Sequence, residues 1–404
     1  MIDKNLLKKY AQVMVHYALN NGKGINKGET VFLVGQECSK DLFMAIAKEI
    51  YKAGGNIVTH YLPNNIREYS LARFVLENGG DEQISFFAKP YWQGIVDSID
   101  HILSIISEPD IHVFEGLPSS KISMMNSARA PYMQMREKKE LEGKLSWTLC
   151  LYGTQSMADE AGLTLEDYWT QIIEACYLRE EDPVSKWKQI QNEINEIKTK
   201  LDDLEIEKLY IKGDGVDLEI KIGKNRKWLG GTGRNVPSFE VFTSPDWRGT
   251  NGYINFNQPL YYSGKRISGV SLQFKDGVVI TSSAKENEDA LKEMIAQDNA
   301  DKVGEFSLTD KRHSRITKFM ATTLFDENVG GEFGNTHIAL GNAYKDTYPG
   351  DISNVSTEEW NEMGYNLCPK VHTDIVSTTN RTVTAVLADN SEKIIYKDGM
   401  FVME

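Results

Sequence analysis

Five residues in the second half of the chain are of metal-ligand type. His372 and Asp374 form an H-x-D triplet in VHTDIV (371–376). Residues two apart in an extended strand face the same side, so this pair can offer one imidazole nitrogen and one carboxylate oxygen to a single cation. Glu240 lies in NVPSFEVFTSP (235–245), Glu305 in VGEFSL (303–308) and His337 in NTHIALG (335–341). A carboxylate flanked by Phe239, Val241 and Phe242 is costly to bury unless it is paired or bound to metal. The same holds with less force for Glu305, between Gly304 and Phe306. Together these residues point to a carboxylate-rich hydrolytic metal site. Each also has a plain structural reading: a chance H-x-D, a satisfied core histidine at 337, and an edge strand with Glu240 facing water.

The other histidines read as ordinary. His16 falls on a helix and His60 on a strand, His101 and His112 have no ligand-like neighbour, and His313 in TDKRHSRIT reads as a solvated turn or helix start. Cys38, Cys150, Cys176 and Cys368 are scattered, with no CxxC. That excludes a zinc ribbon or a disulfide framework and fits reduced thiols in a cytoplasmic protein. Cys368, four residues before His372, reads as a buried structural thiol rather than a soft ligand.

The elements that must carry these residues change character along the chain. Thr30–Val34, a helix from Ser39 or Lys40 stopped by Gly54-Gly55, and Ile57–Tyr61 make a βαβ unit, which implies a parallel sheet with a right-handed crossover. Further strands are expected at His101–Ile106 and Trp147–Tyr152. Helices are expected over 66–78, 119–128, 133–142 and 164–178. The turn after the first strand is GQECSKD, and neither a G-x-G-x-x-G nor a P-loop occurs, so a nucleotide role has little support. Asp182-Pro183 opens a long amphipathic helix with Trp187, Ile190, Ile194, Ile197, Leu201 and Leu204 at spacings of three and four. After about residue 205 the pattern becomes antiparallel. Hairpins are expected at 209–222, 270–283 and 382–403, with turns at Gly213-Asp214-Gly215, Lys275-Asp276-Gly277, Asn390-Ser391 and Asp398-Gly399, and one helix at 286–298. The expected fold is an α/β N-terminal domain with a doubly wound, mostly parallel sheet (1–182), a connecting helix (183–205), and an α+β domain rich in antiparallel strands that carries the metal site (206–404).

A chain of 404 residues exceeds what one core usually supports, about 250–300 residues. Its net charge of −13 argues against nucleic acid and against anionic membrane surfaces. Its N-terminus, MIDKNLLKKYAQVMV, reads as an amphipathic helix rather than a signal peptide, and no stretch is long and apolar enough to span a membrane.

The C-terminal half resembles the thermophilic-aminopeptidase family of metallopeptidases, the aminopeptidase T, aminopeptidase S and PepS group. The matching stretches are NVPSFEVFTSP, VGEFSL, LFDEN (324–328), THIALGNAY (336–344) and VHTD (371–374), with WTLCLYGTQSMADEAGL (147–163) in the first half. The resemblance implies two divalent metals, zinc, cobalt or manganese, held by Glu240, Glu305, His337, His372 and Asp374. It implies a metal-activated water, with Glu305 as general base or bridging ligand and Tyr344 as donor to the oxyanion. It further implies a cytoplasmic homodimer that releases N-terminal residues from short peptides. The loop VGGEFGNT (329–336) departs from the family pattern by its length and adds Glu332 as an extra acid. Two alternatives stay open: another metallohydrolase, an amidase or deacetylase, on the same ligands, and a non-catalytic α/β binding protein.

Overall fold

The structure is a computed structural model that describes residues 2–262 and 264–403. It forms two compact units. One comprises the residues up to Lys188 together with Thr232–Pro237, the other Gln189–Gly231 together with the residues from Ser238 onward.

The first unit is built on a five-stranded sheet in the order Asn56–Leu62, Thr30–Gln36, His101–Ile106, Ser146–Leu151, Asn235–Val236. All its pairings are parallel. The apolar runs expected to be strands are strands because they are covered: Phe32, Ile99, Ile102 and Leu145 form one buried cluster beneath Trp92, Ile95 and Trp147. The helix Lys40–Lys52 buries Leu42, Phe43, Ile46 and Ile50, and Gly54 beyond it takes a φ of +82°, a conformation that costs glycine no Cβ clash. Three helices are shorter than expected, with 164–178 helical over Leu165–Ala175 and 286–298 over Glu288–Ile295. The 66–78 segment is helical only over Leu71–Asn78, because Ser70 accepts the backbone N–H of Arg73 and so caps the helix there. Pro183–Asp203 is a single helix whose entry is held by Asp182, which accepts the N–H of Ser185.

The second unit contains an eight-stranded antiparallel sheet built from the expected hairpins and one strand not expected, Asn251–Asn255, which joins two of them. Asp276-Gly277 and Asp398-Gly399 are two-residue turns with positive φ throughout, the backbone that joins antiparallel strands without splaying them. The unit also holds a separate four-stranded sheet, in the order His372–Ser377, Asn335–Gly341, Val303–Thr309, Glu240–Thr243. Every position of its two central strands is buried. That explains why VGEFSLT and NTHIALG lack the polar–apolar alternation of a half-exposed strand.

Among the described residues, no helix is long and apolar enough to cross a membrane.

Candidate metal centre

The four-stranded sheet brings together all five residues of ligand type. Its register sets Glu305 opposite Ala339 and Ala339 opposite Asp374, while Ser307 faces His337 and Gly341 faces His372. Directly paired residues share a face, so the ligands project on one side. The alanine methyl between Glu305 and Asp374 keeps the space between their carboxylates open. Gly304 makes the geometry possible. A Cβ there would lie 2.3 Å from the carbonyl oxygens of both Gly341 and Asn342, and the register shifts between Val303 and Glu305. A bulge of this kind re-aims the side chain that follows it.

The side chains converge. His337 Nε2 lies 3.1 Å from Glu305 Oε1, 3.7 Å from Glu240 Oε2 and 4.0 Å from Asp374 Oδ1. His372 Nε2 lies 3.5 Å from Glu305 Oε2 and 3.7 Å from Asp374 Oδ1. Two groups of ligand atoms result, Glu240–Glu305–His337 and Glu305–His372–Asp374. Glu305 belongs to both and turns one oxygen toward each histidine. His372 Nδ1 lies 2.8 Å from the carbonyl oxygen of Asn342. A carbonyl only accepts, so Nδ1 carries the proton and Nε2 presents its lone pair to the carboxylates, the tautomer a metal ligand needs.

The electrostatics call for cations. Glu240 and Glu305 are only 15 and 3% exposed. Burial raises the pKa of both; the charge of Glu305 pushes Glu240 further up, and the charge of Asp374 does the same to Glu305. Three carboxylates in one buried cluster cannot all ionise without compensating positive charge. His337 Nδ1 and Ser307 Oγ are buried on these strands without a hydrogen-bond partner among the described residues, so polar capacity is unspent. Oxygen and imidazole donors with no thiolate suit zinc, cobalt or manganese. The residues present therefore fit a divalent metal.

A family model for the thermophilic metalloproteases (M29) matches residues 3–401. The chain belongs to that family. Its M29 membership makes it a metalloprotease, a hydrolase of peptide bonds. It is similar to aminopeptidase PepS of Streptococcus thermophilus, 27% identical over 427 residues that cover 99% of this chain and 98% of the relative. It is 24% identical to aminopeptidase T of Thermus aquaticus, with 98% of each chain covered. The solved structure of wild-type AmpT from Thermus thermophilus has the same fold, with a TM-score of 0.84 at 23% identity over 99% of this chain and all of that one. A 2,5-dihydroxypyridine dioxygenase from Pseudomonas putida KT2440 shares the fold more loosely, with a TM-score of 0.53 at 10% identity. The architecture alone therefore does not dictate hydrolysis.

Around the five residues lie Tyr344, which the family resemblance already implies, and three partners that sequence reasoning missed, Asp326, Glu327 and Asn328. Tyr344 packs against His372 with ring centroids 4.7 Å apart and against Phe242 at 5.6 Å, and its backbone N–H donates to Ser244 Oγ. Burial raises its pKa well above the ordinary tyrosine value, and the charges of Glu305, Asp374, Glu240 and Glu327 raise it further. Glu327 is 8% exposed and Asn328 fully buried. Asn328 Oδ1 accepts the N–H of Phe239 at 2.7 Å, and its Nδ2 donates to Leu324 O and Glu327 Oε1, both at 3.3 Å. It thus ties the backbone next to Glu240 to the carboxylate of Glu327. Asp326 accepts the N–H groups of Met320 and Thr322, and burial pushes its pKa up to about 7. The available signal was LFDEN itself, three consecutive polar residues after an apolar pair.

Other residues fall outside the centre. Glu332 is exposed and in neither ligand group. Cys368 is buried and its thiol donates to Asp298 O at 3.3 Å. Three histidine expectations need correction. His313 is not solvated: it is 5% exposed and lies 2.7 Å from Glu193 Oε2. His101 and His112 do have carboxylate partners, Glu29 at 2.8 Å and Glu160 at 3.4 Å.

Proposed function

We propose that this M29 protein is an aminopeptidase that removes N-terminal residues from short peptides, using two divalent cations held by Glu240, Glu305, His337, His372 and Asp374 in a catalytic domain spanning 206–404. The observation that carries this reading is the pair of ligand groups sharing Glu305, with its two oxygens turned to different histidines. Divalent cations held there would supply Lewis acidity to polarise a peptide carbonyl and acidify water. With both its oxygens engaged, Glu305 takes the bridging role of the two expected for it. Proton transfer then falls to a carboxylate outside the ligand groups, and Glu327, whose charge reaches Tyr344, is the buried candidate. Tyr344, kept protonated by its surroundings, donates a hydrogen bond to the oxyanion. The names of the relatives support cleavage from a free N-terminus.

The test is protein stripped by chelator, refilled with Zn²⁺, Co²⁺ or Mn²⁺, and assayed on aminoacyl-p-nitroanilides beside their N-acetylated forms. Activity should vanish on stripping and return with metal, on unblocked substrates only. Cleavage of blocked substrates would favour an amidase or deacetylase, and activity indifferent to chelator would end the metal reading.

Asn328 supplies a second expectation. Replacing it with alanine strands the buried N–H of Phe239, at a cost of about 1–3 kcal/mol, and frees the backbone that aims Glu240. Metal affinity should fall by about 10–100-fold, the usual effect of losing a partner that orients a ligand. Competition against a chelator of known affinity measures it, and an unchanged affinity would detach Asn328 from the site.

A further inference from the structure

Within the first unit lies a cavity of about 360 Å³ lined by Glu29, His101, Lys144, Ser146, Trp147 and Arg234. Ligands of open α/β sheets usually gather at the carboxyl ends of the strands. Here polar groups gather at the opposite end, where His101 and Ser146 each begin a strand.

Three of these residues are joined in series. Ser146 Oγ lies 2.8 Å from His101 Nδ1, and His101 Nε2 lies 2.8 Å from Glu29 Oε2. A carboxylate accepts, so Nε2 carries the ring proton and Nδ1 is the lone-pair nitrogen facing the serine. Asn20, Asn21 and Gly22 all have positive φ, and within that bend the N–H of Asn20 donates to Ser146 Oγ at 3.0 Å. One lone pair of the hydroxyl is thereby occupied, and its hydrogen is left for Nδ1. His101 is 3% exposed, whereas Ser146 is only half-buried and opens on the cavity. Burial works to raise the pKa of Glu29, but hydrogen bonds from Asn26 and His101 outweigh it and hold the carboxylate below its ordinary range. Glu29 is therefore ionised at neutral pH and stabilises the imidazolium that forms when His101 takes a proton. Nucleophile, base and orienting acid thus stand in hydrogen-bond contact, the arrangement that activates a serine.

We propose that Ser146, His101 and Glu29 form a second, metal-independent nucleophilic centre acting on small acyl esters that fit this cavity. Ser146 Oγ bonds to the carbonyl carbon as its proton passes to His101 Nδ1. The bond to the leaving alcohol oxygen breaks as His101 returns that proton to it. Water, deprotonated in turn by His101, then cleaves the acyl–Oγ ester, releases the carboxylic acid and restores the serine. Asn20 and Asn21 line the same cavity and supply amide groups for the charge that develops on the carbonyl oxygen.

The full-length protein treated with a fluorophosphonate and mapped by peptide mass spectrometry decides the matter. One phosphonyl adduct on Ser146 is expected, equally in native and chelator-stripped protein. Ser146→Ala should abolish it, and His101→Gln should slow it by about 10²-fold or more, the contribution of a positioned base. Release of p-nitrophenol from p-nitrophenyl butyrate should follow the same pattern. No adduct at Ser146 in folded protein, or an adduct lost on metal removal, overturns the proposal. The wild-type peptide map carries this result even where a variant fails to fold.

Discussion

Glu305→Gln should lower kcat/KM by about 10³-fold or more, roughly 4 kcal/mol of transition-state stabilisation, and should reduce bound metal at both positions together. The shared geometry is the reason: Oε1 faces His337 and Oε2 faces His372, so on the two-cation reading proposed above a neutral amide would weaken both ligand groups at once. A ligand confined to one group, such as Glu240, should cost one metal first. Stability gives an independent readout with opposite signs. In metal-free protein Glu240 and Glu305 bind protons more tightly than their ordinary value of 4.5, through burial first and neighbouring carboxylate charge second. The folded state then holds protons that the unfolded chain releases, so stability falls as pH rises above that value. The melting temperature of stripped wild type should therefore drop between pH ~5 and ~8, and metal should abolish the drop. Glu305→Gln removes one of the repelling charges. It should raise the melting temperature of stripped protein at the upper pH and lower that of metal-loaded protein. A variant less stable in both states would contradict the electrostatic account.

Tyr344→Phe should reduce kcat by about 10²–10³-fold with metal content unchanged, the usual loss of one oxyanion donor. The substitution keeps the ring that packs on His372 and Phe242 and removes only a hydroxyl. With both ring contacts kept, the fold should not notice. KM should change little, since an interaction made chiefly in the transition state appears in kcat. An unchanged kcat would return Tyr344 to a packing role, and loss of metal would make it a ligand.

How far the sequence could be read depended on how far apart partners lie. The parallel and antiparallel halves announced themselves through local periodicity and turn residues such as Asp276-Gly277. Glu240, Glu305, His337, His372 and Asp374 became a site through the motif blocks around them, since singly most of them have a plain structural reading. Their order across one sheet was not legible, since strand pairing is long-range and leaves no local mark. Misread histidines fail the same test: His313 meets a glutamate 120 positions away, and His101 one 72 positions away. Asn328 looked like any polar residue in a motif block, because Phe239, the N–H it holds, is 89 positions distant.

The fully buried central strands of the site sheet, Val303–Thr309 and Asn335–Gly341, have a consequence for hydrogen exchange. Their amide hydrogens have no local route to solvent and exchange only when the sheet opens as a cooperative unit. A cation that binds only the closed sheet raises the free energy of that opening by mass action. Stripping the metal should therefore speed exchange along both strands together, Leu308 as much as Glu305, and the ligands would report their cargo through a whole foldon.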